Sequence, residues 1–228
     1  MTNVTQLFDA QQPDQRSAAI TKAATAIGQR ELIVLPTDTV YGVGADAFSP
    51  QAVAVLLAAK GRSRQSPPPV LIGSTHVLDA LAVNVPATGR QLAQAFWPGA
   101  VTLIFQAQPS LTWDLGETRG TVALRLPDDD LAQEILRQTG PLAVSSANRH
   151  GQPAATTAQQ AQEALGEAVA VYIDDGVRTQ QQASTIVDCT VTPHRVLRSG
   201  AISIDELRNV VPEILDFNEA APEDAASS

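Results

Sequence analysis

The chain has 228 residues, 44% hydrophobic and 17% charged, a balance that suits one large globular domain or two small ones and excludes a disordered or fibrous polymer. Its 24 acidic and 15 basic residues give a net charge of −9, a field that opposes broad coating of nucleic acid or of an anionic membrane. The single cysteine, Cys189, excludes an internal disulfide, and the scattered His76, His150 and His194 are too few for a zinc or iron-sulfur site.

The first residues, MTNVTQLFDAQQPDQRS, have neither a basic start nor an apolar run of signal-peptide length. No stretch approaches the ~18 apolar residues that span a bilayer, so a cytoplasmic location without a membrane partner is expected. Residues 16–30 place Ala18, Ile20, Ala23, Ala24 and Ile27 at helical spacing, with Gly28 near the C-cap. ELIVLP follows as a buried strand stopped by Pro36. Ser49 and Pro50 supply an N-cap and a first-turn proline for a helix that runs to Gly61. PPPVLIGS is a second apolar run, followed by helical patterns at 76–82 and 87–95 and by the strand VTLIF at 101–105.

The alternation continues with TVALRLP (121–127), a helix near 128–138, PLAVSSAN (141–148) and a helix near 157–165. Three further strands are expected in AVAVYIDD (168–175), STIVDCT (184–190) and HRVLRSG (194–200), then a last helix over 202–215. Strands interleaved with helices of this length predict an α/β fold, a twisted mixed open sheet with flanking helices. The expected organisation is one domain over 1–215 and an acidic, disordered tail over 216–228, where Asp216, Glu219, Glu223 and Asp224 concentrate negative charge among Ala, Pro and Ser.

Charge reverses locally. Lys60, Arg62 and Arg64 fall in an acid-free window from Ala47 to Leu78. If KGRSR is extended, alternate residues aim three cations at one region, as a polyphosphate requires; the plainer reading is a solvated basic loop at a helix C-terminus. GxxxxGK[ST] is absent, so there is no P-loop. Gly42 and Gly44 fit GxGxxA in letters, but the acid expected about 20 residues on is missing, and the glycines more naturally let backbone approach a ligand or another strand.

Thr37, Asp38 and Thr39 follow one strand, and Ser145, Ser146 and Asn148 end another. Each set reads as turn chemistry or as part of a shared ligand crevice beyond the strand ends. Arg125 interrupts the apolar TVALRLP, where a half-buried guanidinium needs either a ligand carboxylate or an internal acid. Ser146 stands four residues before His150, but GxSxG is absent and a serine hydrolase is disfavoured.

LPTDTVYGVGADA, AAKGRSR, FWPGAVTLIF, VALRLP, SSANRHGQP, STIVD and VLRSGAIS occur in the order seen in the YrdC-like family of threonylcarbamoyl-adenylate synthases, which the chain resembles from about residue 16 to 205. The resemblance implies a concave cationic cavity and an enzyme that makes threonylcarbamoyl-AMP and pyrophosphate from L-threonine, bicarbonate and ATP. The product serves threonylcarbamoylation of the tRNA adenosine beside the anticodon. The family's KxR and SxN signatures fall on Lys60, Arg62, Ser146 and Asn148 as catalytic residues. Its ATP contacts fall on Lys60, Arg64, Thr121, Ser146 and Arg198, and its threonine contacts on Thr37, Arg125, Val144 and Ser184.

Mg²⁺ would accompany ATP with no protein side chain as ligand. Implied partners are a downstream threonylcarbamoyl transferase machinery and tRNA. Leu71 stands where many relatives carry histidine, and Ala154 where a serine often contacts nucleotide. The chain resembles the short, single-domain form. A rival reading is a non-catalytic RNA-binding or regulatory YrdC-like module, and a third is a carbamoyl-adenylate enzyme with another acceptor.

Overall fold

The computed structural model describes residues 5–179 and 182–220. Eleven strands form one mixed sheet: β1 (Gln6–Asp9), β2 (Ile33–Leu35), β3 (Gly42–Asp46), β4 (Val70–Leu71), β5 (Ala82–Val83), β6 (Val101–Ala107), β7 (Thr121–Arg125), β8 (Leu142–Ser146), β9 (Val171–Asp174), β10 (Thr185–Asp188) and β11 (Arg195–Arg198). The order across the sheet is β1-β9-β2-β3-β8-β4-β7-β6-β10-β11, with β5 paired to β6. The helices are α1 (Pro13–Gly28), α2 (Pro50–Lys60), α3 (Leu78–Leu81), α4 (Ala87–Phe96), α5 (Asp130–Thr139), α6 (Ala158–Leu165) and α7 (Ile204–Arg208).

Period-two alternation sorts the core onto the two faces of the sheet. Ile33, Leu35, Leu71 and Val144 pack with Ile20 and Ile27 of α1 and Leu131 and Ile135 of α5. Leu32, Val34, Val43 and Val70 point the other way, into a larger cluster with α2, α4 and α6. Each fully buried Leu or Ile contributes about 1.5–3 kcal/mol, so the sheet is held from both sides.

Helix ends follow local chemistry. Ser49 Oγ accepts from Ala52 N, Asp129 caps α5 through Ala132 N, Thr157 caps α6, and Ser203 with Glu206 forms a capping box at α7. Gly61 ends α2 at φ 62°, a left-handed conformation that glycine adopts without strain.

Three elements differ from expectation. β1 lies in the polar start and is largely exposed, and its parallel pairing with β9 makes it a strand. GVGAD is a central strand between β2 and β8, because Gly42 and Gly44 let the side chain of Val144 pack against their backbone. The helix expected over 202–215 stops at Arg208. Beyond it Val211 and Ile214 enter the core from turns, and Pro212 has no N–H to continue the ladder.

Asp216 to Ala220, assigned by sequence to the tail, make contacts: Arg195 donates to the carbonyls of Asp216 and Glu219, and Arg208 pairs with the Glu219 carboxylate. Residues 221–228 of that tail lie outside the described residues. No helix among the described residues is long and apolar enough to cross a membrane.

Candidate active site

The antiparallel register of β3 and β8 sets Gly42 opposite Ser146, and β4 and β7, side by side in the sheet, bring Leu71 opposite Arg125. Beyond these strand ends lies a cavity of about 140 Å³ whose wall includes Thr37, Arg62, Arg125, Val144, Ser184 and Arg198. At ~30 Å³ per water it has room for about five waters, the scale of an amino acid rather than a whole nucleotide. It adjoins two open clefts, one of about 770 Å³ reached past Ala154 and one of about 560 Å³ reached past Arg62.

Arg125 is 6% exposed. Its Nε donates to Gly99 O at 2.9 Å, Nη1 to Thr39 Oγ1 at 3.1 Å and Nη2 to Asp38 Oδ1 at 2.6 Å. Both sequence readings of this residue meet here: it has an internal acid, and it faces the cavity. A guanidinium carries five N–H donors, so these three bonds leave two for a ligand.

Arg198 grips Ser184 through Nε and Nη2 to the carbonyl and Nη2 to the hydroxyl. Arg62 donates to Ser145 Oγ at 3.1 Å. Burial, and then the neighbouring Arg125 and Arg62, pull the Arg198 pKa below its ordinary value. Among the described residues neither Arg62 nor Arg198 has a carboxylate partner, and Asp38 is the acid paired with Arg125. Three guanidinium groups on one small wall with one paired acid form a site for an anion.

Thr37 lines the cavity, yet its hydroxyl is fully engaged. It donates to Val40 O at 2.6 Å and accepts from Thr39 N at 3.2 Å. The 3.1 Å contact between Thr37 Oγ1 and Thr39 Oγ1 must then run from Thr39, because Thr37's one proton is used. With both lone pairs and the proton occupied, Thr37 shapes the wall but has no hydroxyl capacity for a substrate. Thr39, grouped by sequence with Thr37 and Asp38, passes a hydrogen-bond chain from Arg125 to Thr37 and on to Val40.

Of the two sequence readings of the basic segment, the structure has a helix C-terminus rather than one extended run. Lys60 is the last residue of α2, and the left-handed turn at Gly61 sends the three cations apart. Lys60 is 0% exposed, and its Nζ donates to the carbonyls of Ser146 and Asn148 and to Asn148 Oδ1. Burial, then Arg62, lowers its pKa from 10.5 to about 8. Asn148 Nδ2 in turn donates to Arg149 O and Gln152 O. Lys60 therefore stands behind the wall and holds the 146–152 loop, Asn148 also lines the adjoining 770 Å³ cleft, and Ser146 remains on the cavity wall.

Arg64 points outward into a bidentate pair with Asp114 at 2.8 and 2.9 Å. Thr121 Oγ1 donates to Thr118 O, away from the cavity. His150 is exposed, and its main-chain N–H, not its ring, meets Lys60 O, which removes the serine-hydrolase geometry. Leu71 and Ala154, the two departures from the resembled pattern, both line the cavity and make it more apolar there.

Among the described residues no three His, Cys, Asp or Glu side chains come together to hold a metal ion. Asp38 is engaged by Arg125. The donor set does not fit a magnesium ion caged by the protein.

Residues 25–200 match the family profile described as "Telomere recombination" (Sua5_yciO_yrdC). A Mycobacterium tuberculosis protein provisionally named threonylcarbamoyl-AMP synthase is 50% identical over 208 residues, covering 91% of this chain and 96% of that one. The Pyrococcus abyssi threonylcarbamoyl-AMP synthase is 34% identical over 84% of this chain and 57% of its own length. The structure of P. abyssi Sua5 complexed with L-threonine superimposes with a TM-score of 0.83 at 33% identity, over 86% of this chain. This chain spans 58% of that protein. Escherichia coli YciO shares the fold, with a TM-score of 0.79 at 22% identity. A family profile matched over most of the chain and relatives half-identical over nearly their whole length show that the chain belongs to the Sua5/YciO/YrdC family.

Proposed function

We propose that this chain is a threonylcarbamoyl-AMP synthase, a nucleotidyltransferase that uses L-threonine, bicarbonate and ATP and releases pyrophosphate. The observation that carries the reading is the amino-acid-sized cavity walled by Arg62, Arg125 and Arg198, in a chain one third identical to a protein crystallised with L-threonine. The cavity takes threonine. Arg125 holds the carboxylate with its two remaining donors, Ser184 supplies a polar contact, and Val144 meets the apolar part of the side chain.

The neutral amine of threonine attacks carbon dioxide derived from bicarbonate and loses a proton, giving a carbamate. A carbamate oxygen then attacks the α-phosphorus of ATP, and the bond to the β-phosphate oxygen breaks with pyrophosphate leaving. Charge builds on phosphate oxygens, where fixed Arg62 and Arg198 beside Ser146 stabilise it without reorganisation. No protein nucleophile is needed. The nucleotide is longer than the cavity and runs into an adjoining cleft, where Arg64 meets it after leaving Asp114; Thr121, whose hydroxyl is bonded to Thr118 O, would have to turn to reach it. Lys60 and Asn148 act through the loop they hold.

The triphosphate would bring its own magnesium, which would offset phosphate charge without a protein carboxylate to hold it. Residues 1–215 work as one catalytic domain in the cytoplasm, and the adenylate passes to a transferase that modifies tRNA. The test is pyrophosphate release from ATP with threonine and bicarbonate each omitted in turn. Release that ignores threonine sinks the assignment. No release, with tRNA binding that weakens steeply with salt, favours the RNA-binding module instead.

A further inference from the structure

Thr102 is a buried hydroxyl in the apolar first half of β6. It is 1% exposed, sits between Val101 and Leu103 in β6, and lines the cavity. β10 runs parallel to β6, with Ile186 opposite Thr102 and Thr185 opposite Val101, and Thr185 N bonds to Ala100 O. That register carries Ser184, just before β10, to the same wall, where its Oγ lies 2.8 Å from Thr102 Oγ1. A hydroxyl buried in a strand core costs free energy unless it has a partner, and Ser184 is that partner.

We infer that Thr102 is a positioning residue for recognition of the amino-acid substrate: it fixes Ser184 so that one hydroxyl proton of the pair is presented to the cavity. The inventory of protons carries this. Ser184 Oγ has one proton and two lone pairs, and Arg198 Nη2 already donates into one of those pairs at 3.0 Å. The mutual bond uses one of the two hydroxyl protons of Thr102 and Ser184, whichever residue donates. Among the described residues neither hydroxyl has another acceptor, so one proton remains, on a wall that both residues share.

The same cavity is lined by Arg125 with unused donors and by Thr37 with none. The wall therefore presents a fixed O–H and guanidinium N–H groups to a ligand rich in acceptors, as a carboxylate and hydroxyl on one small molecule are. Valine at position 102 keeps the shape and removes the hydroxyl. Ser184 then turns its proton away or loses its fixed orientation.

The inference rests on the proposed synthase activity, and the experiment separates the two. Wild-type enzyme is first assayed for threonine-dependent pyrophosphate release; its absence defeats the functional reading itself. With that activity present, Thr102→Val is expected to raise the KM for threonine about tenfold while the KM for ATP stays within about twofold, the loss of one ligand-directed hydrogen bond. Thr102→Ser, which restores the hydroxyl, is expected to return the threonine KM to within about threefold of wild type.

Calorimetric titration of threonine into the ATP-free enzyme reads the same loss without catalysis, and circular dichroism establishes that each variant is folded. Equal rises in both KM values, a threonine KM unchanged in Thr102→Val, or a Thr102→Ser variant as impaired as Thr102→Val would overturn the inference. If Thr102→Val does not fold, Thr102→Ser carries the test alone, and a threonine affinity reduced about tenfold in that variant overturns it.

Discussion

Lys60 donates to both the side-chain and the main-chain oxygen of Asn148. This ties the end of α2 to the loop that follows β8, so the lysine of the KxR signature acts on the SxN loop from behind. Its charge is buried, which makes the tie sensitive to pH. The folded pKa is about 8, against 10.5 for the free side chain. Below about 8 both folded and unfolded chains carry the proton. From 8 toward 10.5 the unfolded chain holds a proton that the folded chain does not, so stability rises with pH, by no more than about 1.4 kcal/mol per pH unit.

Cys189, Tyr41 and Tyr172 have pKa values raised by burial to about 12 and act in the opposite sense as their unfolded forms ionise, Cys189 from about pH 8 and the tyrosines from about pH 9, but they are common to wild type and a Lys60 variant and cancel between them. Denaturant titrations between pH 8 and 9 are therefore expected to show wild type gaining stability relative to Lys60→Met. Over the same window kcat/KM is expected to fall in wild type, as the cation holding the loop is lost, and to be flat in Lys60→Met. A wild-type profile flat from pH 7 to 9.5 would contradict this role.

Arg125 links three protein groups and faces the cavity at once, so lysine is no substitute. One ammonium does not span Gly99 O, Thr39 and Asp38 and still offer two donors to a carboxylate. Arg125→Lys and Arg125→Ala are both expected to raise the KM for threonine by more than about tenfold, and that for ATP by much less. The alanine variant also strands Asp38, with a loss of about 3–5 kcal/mol in urea unfolding. A larger effect on ATP than on threonine would refute the carboxylate clamp.

The close approach of β3 to β8 depends on a missing side chain. A Cβ at Gly42 would lie 2.6 Å from Val144 Cγ1, whereas one at Gly44 would lie 3.3 Å from Val144 Cγ2. Valine is stiff at χ1, so Val144 yields only by moving off its rotamer or by shifting β8. Gly42→Ala is expected to lower stability by about 1–3 kcal/mol and to weaken threonine binding, because Val144 is part of the cavity wall. Gly44→Ala is expected to be milder in both. Thermal unfolding and threonine titration of the two variants check the order.

Cys189 is buried, and its thiol pKa is pushed up to about 12, first by burial and then by Asp188. The thiolate is the reactive form, so a thiol-specific reagent at pH 8 is expected to leave the native protein unmodified and to label it promptly in denaturant. Rapid native labelling would place Cys189 in a mobile region rather than in the core.

Helix α2 shows what was legible in the chain itself. Ser49, Pro50 and Gly61 mark its ends because caps and φ preferences act within one turn, and the structure keeps each of them. The buried strand in ELIVLP was equally legible, and the structure divides its Leu32, Ile33, Val34 and Leu35 between two cores. GVGAD was not legible as a strand, since glycine has no strand preference of its own and pairing with β8 decides its state.

The site divides along the same line. Sequence alone determined the alternating α/β elements, the helix caps and the residue types gathered at strand ends, because propensity, periodicity and capping operate over a few neighbours. Tertiary structure alone decided which polar groups are available. Thr37 is engaged by Thr39 and Val40, Lys60 is held inward by Ser146 and Asn148, Arg64 is held by Asp114, and Thr102 is set beside Ser184, 82 residues away in the chain. A hydrogen bond depends on distances of tenths of an ångström between residues remote in sequence, and only the assembled sheet fixes those distances.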